Sequence, residues 1–495
     1  MRRAGFDRYR DGVVESALRT GEGGVVMVTR LSASDAAFFH LENTSTPMYV
    51  GSLSILRKPR NGLSYETLLA TVERRLPQIP RYRQKVREVT FGLARPVWVD
   101  DRDFDITYHI RRSALPSPGS DAQLHDLVAR LGSRQLDKTR PLWEMYLVEG
   151  LAKNRIAIYT KSHQALVNGM TALEIGHVVA DRTQKSPEFG EDIWIPAREP
   201  SDTRLFVGAV GEWIARPGVQ LAAVRSAMIE VVTNSGQLVE VGRRLTDVAK
   251  TVARGTAPSS PLNTTVSRNR RFAVASHRLE DYRSLRARYD CDVNDVVLAV
   301  VAGALRNWLM SRGEPVTTSA TVRAMAPMSV YPDAELDATG PGQAISEVSP
   351  FLVDLPVGEG NAVVRLSQIA HTTESYPTAA SLVDARTIVT LSGFAPPTLH
   401  AMGIRVATSF SARQFNLLIT NVPGAQKQMY VAGTKLLETY SVPPLLNNQV
   451  LAIGVTSYNG MLYFGINADR DAMSDVDVLP SLMHESLDEL LEAAQ

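Results

Sequence analysis

The residues best placed to do chemistry lie in one stretch, Lys161-Ser162-His163-Gln164-Ala165-Leu166-Val167-Asn168-Gly169. The apolar-rich run over 155–161 predicts a strand, Asn168-Gly169 a small turn, and 171–180 a helix. A strand, turn and helix in that order expose turn side chains at a sheet edge, and His163 ends the strand. An imidazole titrates near neutrality, so a histidine placed there is a candidate proton acceptor. The plainer reading of a lone histidine is structural. His40, His125, His277 and His484 sit among charged or helical neighbours and read as solvated or capping residues. The nine histidines show no metal-ligand spacing, and the chain has no GxxxxGK[ST], GxGxxG, HExxH or GxSxG motif.

The elements that must position His163 are mixed α and β. A strand is expected over 49–56 and helices over 68–76 and 122–136. Prolines at 187, 196 and 200 mark a linker, and 205–252 reads as helices interrupted at Pro217-Gly218. There Leu238, Val241, Leu245, Val248 and Val252 form one apolar face. That face packs on its own protein in the plainer reading; in the sharper one it meets lipid or a second subunit. Residues 255–265 read as a connector. Strands then follow over 272–279, 317–325, 415–420, 451–457 and 461–466, with an apolar helix from Asn294-Asp295 to Trp308. Asn459-Gly460 between two alternating runs is a hairpin signal.

Composition narrows the function classes. The 495 residues carry 53 basic and 52 acidic side chains, which gives no basic excess for nucleic acid. A 44% hydrophobic content excludes a disordered chain and supplies two or three domains with cores. Cys291 is the sole cysteine, so no intrachain disulfide or cysteine zinc site forms, and a reducing cytoplasm is expected. It reads as a buried residue at a helix start. The N-terminal arginines precede no signal-peptide core. The uncharged run 439–468 is broken by Pro443, Pro444, Asn447, Asn448 and Gly460 and reads as a loop with two strands, not a membrane span.

Residues 161–169 resemble the KxHHALVDG stretch of the bacterial wax ester synthase/diacylglycerol acyltransferase family. That family is part of the CoA-dependent acyltransferases, with chloramphenicol acetyltransferase and peptide-synthetase condensation domains. Further matches follow in order: Leu31-Ser32-Ala33-Ser34-Asp35, Pro47-Met48-Tyr49-Val50-Gly51, Pro80-Arg81-Tyr82-Arg83, Trp98, Phe104-Asp105 with His109, and Pro141-Leu142-Trp143-Glu144. Asn294-Asp295, Pro327-Met328-Ser329-Val330, Asn421-Val422-Pro423-Gly424 and Ser457-Tyr458-Asn459-Gly460 continue the series.

The resemblance implies an α/β, two-lobed, chloramphenicol-acetyltransferase-like fold. An N-terminal lobe over 1–200 carries the motif, a helical linker spans 201–265 and a C-terminal lobe spans 266–495. It implies transfer of an acyl chain from acyl-CoA to the hydroxyl of diacylglycerol, or to a long-chain alcohol to give wax ester. The attack is direct, without an acyl-enzyme or a permanently bound cofactor. In the family's HHxxxDG motif the second histidine is the base and the aspartate holds local structure. Here His163 takes the first position, while Gln164 and Asn168 replace the second histidine and the aspartate. An amide orients an alcohol but cannot take its proton, at a typical cost of about 10²–10⁴ in rate. Three outcomes stay open: His163 rotates and serves as base, Gln164 leaves a weak enzyme, or the protein is a silent homologue that binds acyl-CoA or lipid.

Gly169, Asn421, Pro141 and Trp143 are candidates for positioning substrate; otherwise Trp143 is a core anchor and Asn421 part of a rigid turn. The cluster Arg81, Arg83, Lys85 and Arg87 reads as a site for CoA phosphates or anionic lipid heads, or as a solvated face. Insoluble substrates imply peripheral work at the inner membrane or lipid inclusions from the cytoplasmic side.

Overall fold

Three sheets organise the described residues: a seven-stranded and a six-stranded one, each with its own apolar core, and a four-stranded one in the order Glu15–Arg19, Val25–Arg30, Val97–Asp100, Gln84–Arg87. The computed structural model describes residues 15–19, 25–58, 63–89, 94–167, 175–185, 194–205, 257–328, 349–374, 414–422 and 424–495. Asn168, Gly169, Pro423 and most of the expected helical linker, with its 238–252 face, lie outside the described residues.

The first sheet has seven strands in the order Ile110–Ala114, Trp143–Leu151, Arg155–His163, Tyr49–Arg57, Thr434–Val442, Tyr430–Val431, Ala180–Asp181. Arg155–His163 is an interior strand, antiparallel to both neighbours, with Tyr49 opposite His163 and Trp143 opposite Ser162. All nine of its residues are buried, because strands flank it on both edges and packing covers both faces. Tyr49–Arg57 packs close to it at Gly51, where a Cβ would stand 2.7 Å from the Thr160 carbonyl oxygen. A helix over Asp121–Gly132, opened by a Ser120–Gln123 capping box, covers the sheet. The expected helix over 68–76 instead runs Tyr65–Glu73, because the Ser64 hydroxyl caps its start.

Thr434–Val442 comes from the second half of the chain, yet it pairs with Tyr49–Arg57. The sheet that carries the motif is therefore assembled from both ends of the sequence.

The second sheet orders Arg270–Arg278, Met461–Asp469, Leu451–Tyr458, Leu417–Val422, Val322–Met328 and Ser349–Leu355. The strand expected over 317–325 begins only at Val322, since the Thr317 carbonyl and Ala320 N–H close a turn first (2.9 Å). Asn459 and Gly460 turn the hairpin at φ of 48° and 79°, the left-handed geometry that an Asn-Gly pair suits. The uncharged run 439–468 forms the end of one strand, a loop and two further strands. Val293–Ser311 is a helix long and apolar enough to cross a membrane, but 72% of that stretch is buried inside the second lobe. It packs there with the helices Ala362–Glu374 and Leu479–Ala493.

The lobes also meet outside the shared sheet. The Arg270 guanidinium donates to the Ser45 carbonyl. The Asn447 side chain accepts from Thr46 Oγ1 at 3.3 Å and from Asn43 Nδ2 at 3.4 Å. A first-lobe loop is thus gripped by the second lobe.

Candidate active site

The motif is clamped by its neighbours through the backbone. His163 N–H donates to the Leu142 carbonyl and Gln164 N–H to the Met48 carbonyl, each at 2.9 Å. A one-turn helix, Gln164–Val167, follows at once. Its Ala165 N–H donates to His163 Nδ1 at 3.0 Å, which places the neutral ring's proton on Nε2. Gln164 is half-buried beside a fully buried His163.

His163 Nε2 faces Glu42 Oε2 across 3.8 Å, too far for a hydrogen bond. Neither atom has a hydrogen-bond partner among the described residues, and the two side chains are 0% and 1% exposed. Glu42 follows the helix Ala33–Leu41 as its cap, donating its N–H to the Phe38 carbonyl. Lys138 Nζ lies 3.0 Å from Glu42 Oε2, an ion pair without hydrogen-bond alignment, and donates to the Phe39 carbonyl at 2.9 Å. The Phe39 ring stands edge-on to His163 with centroids 6.1 Å apart. Burial first, and the Lys138 charge second, lower the His163 pKa to about 3. The ring is neutral at pH 7.

Held this way, His163 has its Nδ1 lone pair committed to the chain and its Nε2–H turned to a carboxylate. It offers no lone pair to a hydroxyl unless the Ala165 bond breaks.

Below it lies a second buried charge. Lys161 Nζ donates to the carbonyls of Leu131 (3.1 Å) and Arg134 (2.7 Å), at the C-terminal end of Asp121–Gly132. It stands 3.7 Å from Glu144. Burial lowers its pKa to about 8, against the pull of Glu144. These contacts lock the helix to the motif strand.

The other candidates fall in three places. Trp143 is fully buried, donates its indole N–H to the Tyr82 carbonyl (2.8 Å) and stacks on His109 at 4.5 Å; Pro141 is buried beside it. Those contacts anchor the core. Asn421 donates to Asn294 Oδ1 at 3.3 Å, joining two of the second-lobe motif elements. Asp295 accepts the Asp292 N–H (2.9 Å) and the Thr373 hydroxyl (2.7 Å), as a helix-start residue does. In the basic cluster, Lys85 and Arg87 pair with Asp101, Glu199 and Asp202, while Arg81 and Arg83 lie over Trp98 and Trp194.

Sequence reasoning missed Glu42 and Lys138. A single Glu after an apolar helix reads as solvated, and nothing in local spacing shows that it turns inward 121 positions before the histidine it faces.

Comparison with known proteins places this geometry. Residues 31–297 match the wax ester synthase/diacylglycerol acyltransferase catalytic domain, and residues 347–491 its C-terminal domain. A probable diacylglycerol O-acyltransferase of Mycobacterium tuberculosis is 75% identical over 266 residues, 54% of this chain and 98% of that protein. Another from the same species is 29% identical over 455 residues, covering 91% of this chain and 93% of that one. Among solved structures, the wax ester synthase/diacylglycerol acyltransferase from Marinobacter aquaeolei VT8 aligns with a TM-score of 0.65 at 26% identity, over 94% of this chain and all of that one. The first condensation domain of the CDA synthetase shares the fold, with a TM-score of 0.53 at 13% identity over 94% and 95% of the two chains.

Proposed function

The chain belongs to the wax ester synthase/diacylglycerol acyltransferase family, and we propose that it transfers acyl groups from acyl-CoA to diacylglycerol. The acceptor oxygen attacks the thioester carbonyl, the carbon–sulfur bond breaks and the acceptor proton ends on the CoA sulfur. The products are triacylglycerol and CoA thiol, with no acyl-enzyme between. Acyl-CoA is a co-substrate and not a resident cofactor.

The observation that carries the reading is the motif turn: a family-matched strand ends in a fixed His163 and hands the next position to Gln164. His163 acts as a positioning residue that shapes this turn. Gln164 orients the acceptor hydroxyl without removing its proton, so turnover is slow relative to a two-histidine site. The chain works at a lipid surface, and the 238–252 face is the docking element. Val241→Asp should then weaken binding to anionic liposomes, and unchanged binding removes that docking role.

Purified protein given labelled long-chain acyl-CoA with diacylglycerol, and separately with fatty alcohol, tests the activity. Labelled triacylglycerol supports the reading; wax ester alone shifts the acceptor. No product, with acyl-CoA still bound and turnover appearing in Gln164→His, assigns the silent binding role instead.

A further inference from the structure

We propose that Glu42 is the positioning carboxylate of His163 and that the second lobe controls it through the loop that follows. Three observations meet here. The buried atoms Glu42 Oε2 and His163 Nε2 face each other at 3.8 Å, and neither has a hydrogen-bond partner among the described residues, although Lys138 Nζ is ion-paired to Glu42 Oε2 at 3.0 Å. An approach of about 1 Å turns this into a charge-assisted hydrogen bond, which stabilises the Nε2–H ring form that the Ala165 N–H already selects. Lys138 offsets the carboxylate's charge but gives its Oε2 no aligned donor, and a buried acceptor without a donor is costly, so closure is favoured.

The loop supplies the control. It leaves Glu42, reaches Met48, whose carbonyl holds the Gln164 N–H, and enters the strand where Tyr49 faces His163. Between those ends, Ser45 is gripped by Arg270, and Thr46 and Asn43 by Asn447. A shift of the second lobe therefore moves both the carboxylate that faces His163 and the carbonyl that holds Gln164. Substrate that seats the lobes together would draw Glu42 onto His163 and set the turn carrying Gln164. This rests on the acyltransferase reading for its kinetics but not for its geometry.

The test uses the full-length protein with Glu42→Gln, which keeps the shape and removes the charge, and Glu42→Asp, which keeps the charge and shortens the reach. Triacylglycerol synthesis should fall roughly 10–100-fold in kcat for Glu42→Gln, with KM for acyl-CoA within about twofold, and less for Glu42→Asp. Asn447→Ala should give a smaller fall of the same kind. An equal loss from Glu42→Gln and Glu42→Asp, tracking a drop in Tm, would make Glu42 merely structural and overturn the proposal.

A second measurement needs no activity. In ¹⁵N-histidine-labelled protein, with His163 identified from the signal missing in His163→Asn, Glu42→Gln should move the His163 Nε2–H resonance. An unmoved resonance sinks the pairing even if the wild type turns over. A moved one in a protein without turnover leaves the pairing standing and fails the acyltransferase reading instead.

Discussion

His163 and His277 are both buried histidines, one in each lobe, and burial lowers each pKa to about 3. Their partners differ. His163 Nδ1 takes a backbone N–H and its Nε2 looks at Glu42, on a loop that bridges the lobes. His277 Nδ1 sits 2.6 Å from the Tyr282 hydroxyl, and its Nε2 has no hydrogen-bond partner among the described residues. The His484 ring lies 4.4 Å from it. Burial makes any histidine neutral; it does not make one useful. What separates the two is a chain turn on one nitrogen and a charge facing the other.

The largest expected effect comes from restoring the missing base. Gln164→His places a second imidazole at the half-buried position beside His163. We expect kcat for triacylglycerol synthesis to rise by roughly 10² or more, with a pH profile that gains an inflection in the histidine range. An unchanged rate would show that proton removal does not limit turnover.

Acid should expose what the two histidines share. The unfolded chain binds a proton on each below about 6.5, whereas the folded protein resists protonation until about 3 at His163 and His277 and about 4 at His109. The unfolded state therefore holds more protons in this window, and stability falls as pH drops from 6.5 toward 4. Each histidine contributes about 1.4 kcal/mol per pH unit. Urea midpoints between pH 7 and 5 would test this, and a flat profile would contradict the buried neutral rings.

Much of this arrangement was legible in sequence. The strand into His163, the Asn459-Gly460 hairpin and the helix from Val293 carry period, turn chemistry and capping in adjacent residues, and the structure has them. The family resemblance reached the fold and the reaction. Glu42, Lys138 and the strand Thr434–Val442 in the motif sheet were not legible, because each depends on a partner hundreds or dozens of positions away. Local spacing records which face is apolar. It does not record what that face meets.

Removing the partner of His277 should cost stability and nothing else. Tyr282→Phe strips the hydroxyl from Nδ1 and leaves a second unsatisfied nitrogen on a buried ring. The expected loss is about 1–2 kcal/mol with kcat unchanged, measured by chemical denaturation beside the acyltransfer assay. A fall in kcat without loss of stability would place His277 in the reaction and erase the contrast with His163.

The smallest effect is the most discriminating. The His484 charge is the second cause, after burial, of the low pKa at His277, and it is not among the causes at His163. His484 is exposed, so its replacement by Gln should leave stability at pH 7 within about 0.5 kcal/mol. In acid the sign is set by linkage. Without that charge the folded His277 pKa rises toward 6.5, the excess of protons on the unfolded chain shrinks, and less stability is lost between pH 6.5 and 4. His484→Gln should therefore flatten the acid profile slightly while leaving the His163 Nε2–H resonance in place. If the profile does not flatten, burial alone accounts for His277, and the two histidines differ only in what lies beside His163.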